Sequence, residues 1–133
     1  MKHRLSFGQF NLLSNNVVEV VVDEGIVMDL DMVEECHNFI LSRFTDEFAM
    51  LVNKVNHYSY SFEAKLSVAS YEHLKAIAFV YYSPEGQEIS NNLQAVRAMD
   101  KWNCRAFSGL ELGWQQAYDW LQHELQTTKA KVE

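Results

Sequence analysis

FAMLVNKVNHYSYSFEAKLSVASYEHLKAIAFVYYS, residues 48–83, begins and ends in apolar runs too dense for strands that face solvent. FAMLVNKV (48–55) and KAIAFVYYS (75–83) therefore predict two strands buried on both faces. Between them, from about residue 60 to 73, Phe62, Leu66 and Ala69 recur on one stripe and predict a helix. Strand, helix, strand is a βαβ unit, because a parallel pair needs a crossover of a dozen or more residues. Its hand is then right-handed.

Working toward the N-terminus, RLSFGQFNLLS (4–14) and NNVVEVVVD (15–23) are strand-like runs joined through Ser14, Asn15 and Asn16, which favour a turn. They predict an antiparallel hairpin. In the second run Val18, Val20 and Val22 alternate with Val17, Glu19 and Val21, so both faces are nearly apolar and both should be covered. Val33, Cys36, Ile40 and Phe44, with Met32 and Phe39 beside them, then recur at helical spacing. Asp29 and Asp31 stand ahead of that helix, where a carboxylate accepts from free backbone N–H groups and meets the positive end of the helix dipole.

Toward the C-terminus, Ser83 as N-cap, Pro84 at the first helical position and Glu85 in the first turn begin another helix, with Ile89, Leu93 and Val96 facing inward. NCRAFS (103–108) reads as a short last strand, and Ser108 with Glu111 has the capping-box spacing for a final helix. Trp114, Ala117, Tyr118, Leu121 and Leu125 are its inward stripe. The expectation is a single α/β domain over residues 1–126, a mixed sheet of about five strands covered by about four helices. TTKAKVE (127–133) carries no apolar period and is expected to fray.

Composition agrees with one domain. The chain has 133 residues, 48% apolar and 22% charged, the balance of a globular protein. A net charge of −7 repels phosphodiester backbones, which argues against a nucleic-acid partner. No run approaches the roughly 18 to 20 apolar residues of a membrane span. MKHRLSFGQF is too polar for a signal peptide, so a cytoplasmic location is expected. Cys36 and Cys104 belong to no close pair and are read as reduced, buried thiols.

Catalytic signals are missing from the pattern. His3, His37, His57, His73 and His123 never fall at the i, i+3 or i, i+4 spacing that presents two ligands from one helix, so no metal is expected. There is no Gly-rich phosphate loop and no G-x-S-x-G elbow, and neither an enzymatic activity nor a cofactor is expected. His57 is the histidine of interest, because it lies in the strand-to-helix turn. Tyr58, Tyr60, Tyr81 and Tyr82 fall near the C-terminal ends of the two central strands, the edge where open α/β sheets bind ligands. The alternative is packing, with Phe79 and Tyr81 under one helical layer and Val80 and Tyr82 under the other.

The order of elements, the opening hairpin, AMLVNKV followed by a helix start, LKAIAFVYYS and the ending CRAFSGLELGWQQAYDWL together resemble the STAS/SpoIIAA-like group, which includes anti-sigma-factor antagonists and STAS/SEC14 proteins. The resemblance spans nearly the whole chain. It implies a non-catalytic regulatory or protein-interaction domain, with a phosphoacceptor serine at the start of the helix after the third strand. Where the family has an aspartate and then an Asp-Ser-Ser-Gly-like string, this chain has Asn53 or Asn56 and then YSYSFEA. Counting without gaps places the acceptor near Phe62, so Ser59 and Ser61 qualify through a different loop length. Both also suit an N-cap. The candidate phosphoacceptor or anion-binding turn is thus Asn56, His57, Ser59 and Ser61. The alternative function is an apolar small-molecule or lipid-binding module of SEC14-like type, with Tyr58, Tyr60 and Tyr82 as its ligand-edge aromatics. A long first strand at a sheet edge also invites a second copy, so a homodimer is one expectation.

Overall fold

The computed structural model describes residues 2–68, 71, 73–96 and 103–132. In chain order the elements are β1 (Lys2–Leu5), β2 (Gly8–Leu12), β3 (Val17–Val22), β4 (Val27–Met28), α1 (Leu30–Arg43), β5 (Phe48–Lys54), β6 (Ser59–Tyr60), α2 (Phe62–Ser67), β7 (Leu74–Tyr81), α3 (Pro84–Val96), β8 (Cys104–Ser108) and α4 (Gly113–Val132). Six strands form one mixed sheet in the order β1-β2-β3-β5-β7-β8. The pairs β1–β2 and β2–β3 are antiparallel, and β3–β5, β5–β7 and β7–β8 are parallel. This is the α/β architecture expected, with one strand more in the sheet.

Strand alternation divides the core. Val18, Val20, Met50 and Phe10 pack with Val33, Cys36 and Ile40 of α1, and Val52, Ile77 and Phe79 pack with Leu93 of α3. On the opposite face Val17, Ala49, Leu51, Ala78 and Val80 meet Ala117, Leu121 and Leu125 of α4, so helices cover both sides of the parallel strands. The expected stripes of α1 and α4 are the ones buried. Phe44 belongs to the stripe in sequence but stands just past the helix as its extended C-cap, stacked on Phe48 with ring centroids 4.7 Å apart. Asp29 is the N-cap of α1, its carboxylate accepting from Met32 N at 3.0 Å.

Several expectations are corrected. The first run is two strands, because the chain reverses at Ser6 and Phe7 and pairs Leu5 with Gly8. Gly8 permits the close approach of β2 to β3: a Cβ there would lie 2.3 Å from Val21 O. The crossover helix is only six residues long, Phe62–Ser67, and ends at Val68 in an extended conformation. Its buried residue is Ala64, whereas Phe62 and Leu66 of the expected stripe are exposed and Ala69 lies outside the described residues.

The final helix does not start from a capping box. Gly109–Glu111 form a 3-10 turn, Ser108 makes no side-chain cap, Leu112 takes a left-handed φ of 63°, and α4 begins at Gly113. The Tyr82 ring packs on this turn so closely that a Cβ on Gly109 would stand 2.2 Å from it. Cys104 is half-buried, with Sγ donating to Gln94 Oε1 at 3.3 Å, while Cys36 is fully buried. The tail continues α4 as far as Val132. Ser83 caps α3 as expected, accepting from Gly86 N at 3.1 Å, and Leu93 is buried; the Val96 side chain lies outside what is described.

Candidate functional site

β5 alternates Met50, Val52 and Lys54 toward the α1 and α3 side, so the period of the strand carries a lysine into the same layer as the core. Lys54 is 4% exposed. Its Nζ donates to the Tyr58 hydroxyl at 3.0 Å, lies 4.2 Å from the Tyr58 ring centroid and 5.4 Å from that of Tyr60. The two tyrosine hydroxyls are 3.3 Å apart and their rings meet edge to face. Among the described residues no carboxylate lies within ion-pair distance of this amine. Burial without an anion lowers the Lys54 pKa to about 7. The same burial pushes Tyr60 up to about 12 and Tyr58 well above its ordinary value, so both phenols stay protonated.

The turn that leads to this pair is pinned from outside by a second, two-stranded sheet, β4 against β6. Its backbone donors are spent internally. His57 N bonds the Glu24 carboxylate, Ser59 N bonds Ile26 O at 3.0 Å, and Ser61 N bonds Met28 O at 2.8 Å. Asn56 Nδ2 donates to Val22 O at 3.0 Å. Ser61 is the N-cap of α2, its hydroxyl accepting from Ala64 N at 3.1 Å. Ser59 is exposed, and His57 is exposed with Nδ1 3.4 Å from Glu24 Oε1 and Nε2 3.4 Å from Ser83 Oγ. The four turn residues are adjacent in space, but Glu24 already takes the place an external anion would occupy at His57 N.

Behind the tyrosines lies a cavity with about 40 Å³ of free volume, lined by Phe7, Val20, Met28, Phe79, Leu93 and the Tyr58–Tyr60 pair among others. That is room for a water-sized guest, and far less than a lipid needs. Outside, a cleft of about 270 Å³ is lined by Ser59, Tyr60, Lys65, Glu88, Ile89 and Asn92. Tyr60 lines both spaces. Cys36 is placed beside the cavity with Sγ 3.3 Å from the Tyr71 hydroxyl, and burial raises the thiol to about 11, so it is a protonated, unreactive thiol.

Tyr82 belongs to the other face. It packs toward α4 near Glu19, a buried carboxylate on β3 that accepts from Trp114 Nε1 at 2.7 Å, Asn53 Nδ2 at 2.9 Å and Asn11 Nδ2 at 3.3 Å. Burial first, and then the Glu19 charge, raise the Tyr82 hydroxyl. Three N–H donors are what a buried carboxylate requires, and they tie β2, β3, β5 and α4 together. The proposed aromatic edge is therefore split, with Tyr58 and Tyr60 on one side of the sheet and Tyr82 on the other.

Lys54 and Glu19 are the two site residues that motif reading passes over. Each was signalled by its place: a single charged residue at an inward position of a strand buried on both faces. Among the described residues, no group of three or more His, Cys, Asp or Glu gathers to hold a metal ion, and no helix is long and apolar enough to cross a membrane. Comparison with family models, curated proteins and solved structures gives no match.

Proposed function

We propose that this chain is a non-catalytic, STAS/SpoIIAA-like interaction domain that docks a partner protein on the surface around the β5–α2 turn. The observation that carries the reading is the exposure of large apolar side chains there: Val27 is 55% exposed, Val55 53%, Phe62 64% and Leu66 51%. They come from β4, the residue after β5, and α2, segments that flank or pair with β6. Covering a large apolar side chain contributes about 2 kcal/mol, so completing the burial of these four offers on the order of 4 kcal/mol. Glu24, Asp29, Asp31 and Glu63 stand exposed around them. The complementary partner has an apolar centre and a basic edge.

Ser59, exposed on the same turn, is where a phosphate would add charge to that acidic rim and weaken such a partner's hold. Ser61 is less available because its hydroxyl caps α2.

The experiment is photo-crosslinking in the native cell with a photoreactive residue at position 62, and with one at the equally exposed Leu110 as control. A discrete crosslinked protein with a basic contact segment, formed at position 62 and lost with Leu66→Glu, is expected. Crosslinks that are equal at the two positions, or only to a second copy of this chain, would refute the reading.

A further inference from the structure

The cleft and the cavity share one lining side chain, that of Tyr60. Tyr60 sits on a two-residue strand outside the main sheet, and its hydroxyl meets Tyr58 at 3.3 Å, a long contact for two hydroxyls. Turning that ring outward would open the cavity of about 40 Å³ toward the cleft of about 270 Å³ and leave the volume of the ring itself for a guest. The joined space has apolar walls of Val52, Val68, Ile77, Phe79 and Leu93. On neither wall, but beside the Tyr60 ring, stands a polar group that the fold leaves incomplete. Lys54 is nearly fully buried with Tyr58 as its hydrogen-bond acceptor and, among the described residues, no carboxylate partner. Buried charges in proteins are ordinarily paired, because an ammonium in an apolar site without an anion is costly.

We infer that the space closed by Tyr60 is a binding site for a small apolar carboxylic acid, of the size of benzoate, whose ring replaces that of Tyr60 and whose carboxylate pairs with Lys54 Nζ. The geometry suits it. Nζ stands 5.4 Å from the centroid of the ring to be displaced, so a carboxylate on the edge of a ring seated nearby reaches hydrogen-bond distance. The Tyr58 hydroxyl, 3.0 Å from Nζ, is a second donor for the other carboxylate oxygen once the acid has arrived.

Selectivity follows from the charges around the path. Lys65, bonded to Asn92 at 2.7 Å, and Glu88 line the cleft, so its mouth carries both signs and the anion is drawn inward by Lys54 alone. Tyr81 is the residue beside Lys54 across the β5–β7 ladder, and the phenols of Tyr58 and Tyr60 are the other titratable groups near the amine. Both stay protonated around neutrality. The amine is largely neutral above pH 7, so pairing with a carboxylate must bring in a proton. This site borders the docking surface at Ser59 but draws on Lys54 and the cavity behind Tyr60, which the docking surface does not use.

The test is isothermal titration calorimetry of the full chain with benzoate at pH 8, in two buffers of different ionisation enthalpy, with benzyl alcohol as the neutral isostere. Saturable binding with uptake of roughly one proton is expected. Benzyl alcohol should bind about tenfold or more weakly and without proton uptake. Lys54→Met should lose the uptake and the preference for the acid. No saturable binding of benzoate to the wild-type chain, or equal binding of acid and alcohol with no proton exchanged, overturns the inference. That comparison uses the unaltered protein and stands whether or not the variant folds.

Discussion

Lys54→Met removes an amine that the fold buries without a carboxylate partner among the described residues, and its effect on stability should depend on pH in a calculable way. The folded pKa is about 7 and the unfolded one is 10.5. Between those values the unfolded chain binds the proton and the folded chain does not, so wild-type stability rises with pH. Below pH 7 both states are protonated and the full burial penalty applies; above 10.5 neither is, and the penalty is gone. The full span is about 5 kcal/mol at 1.36 kcal/mol per unit. Over the accessible window from pH 7 to 9.5 the two-state linkage gives about 3 kcal/mol. Methionine matches the length of the lysine stem and does not titrate. Urea denaturation of both proteins across that window isolates the lysine, because contributions from Tyr58 and Tyr60 are common to both and cancel. The wild type should gain about 3 kcal/mol relative to Lys54→Met between the two ends. A difference that stays flat to within about 0.5 kcal/mol would refute the reasoning, showing that the amine keeps its charge in the fold.

Two further substitutions test the frame around the site. Glu19→Ala strands Trp114 Nε1 and the Asn53 and Asn11 amides in a buried layer, and should cost about 3 kcal/mol in urea unfolding, with Glu19→Gln recovering part of it. An equal loss in the two variants would show that the carboxylate charge, and not donor satisfaction, is what matters. Gly8→Ala forces a Cβ against Val21 O and should lower stability by about 2 kcal/mol, visible as a drop of several degrees in Tm. An unchanged Tm would mean that the approach of β2 to β3 is not constrained by that contact.

Legibility followed periodicity. β3, β5 and β7 were readable because strands buried on both faces are written as nearly continuous apolar runs, and α1 and α4 because Val33, Cys36 and Ile40, and Ala117, Leu121 and Leu125, repeat at helical spacing. Asp29, Ser61 and Ser83 were readable as caps, since a short oxygen-bearing side chain before a helix has one local bond to make. The reversal at Ser6 and Phe7 was not, because Ser6 is a lone turn-favouring residue inside an apolar run and Phe7 is fully buried. It is fixed by the β1–β2 pairing, which only the folded sheet creates. The length of α2 was hidden for a related reason. Phe62 and Leu66 have helical spacing but no surface to pack on, so the stripe announces a helix that tertiary packing does not extend.

The candidate site divides along the same line. By itself the sequence determined that residues 56–61 cross from a central strand into a helix, since apolar period and capping chemistry are local properties. Only the tertiary structure decided that Tyr58 and Tyr60 share a layer with Lys54 while Tyr82 lies across the sheet beside Glu19, and that the N–H groups of His57, Ser59 and Ser61 are already bonded to Glu24, Ile26 and Met28. Those facts depend on which strands neighbour one another and which helix covers each face. Periodicity states that a side chain points inward, but the partner it meets there is chosen by segments far away in the chain.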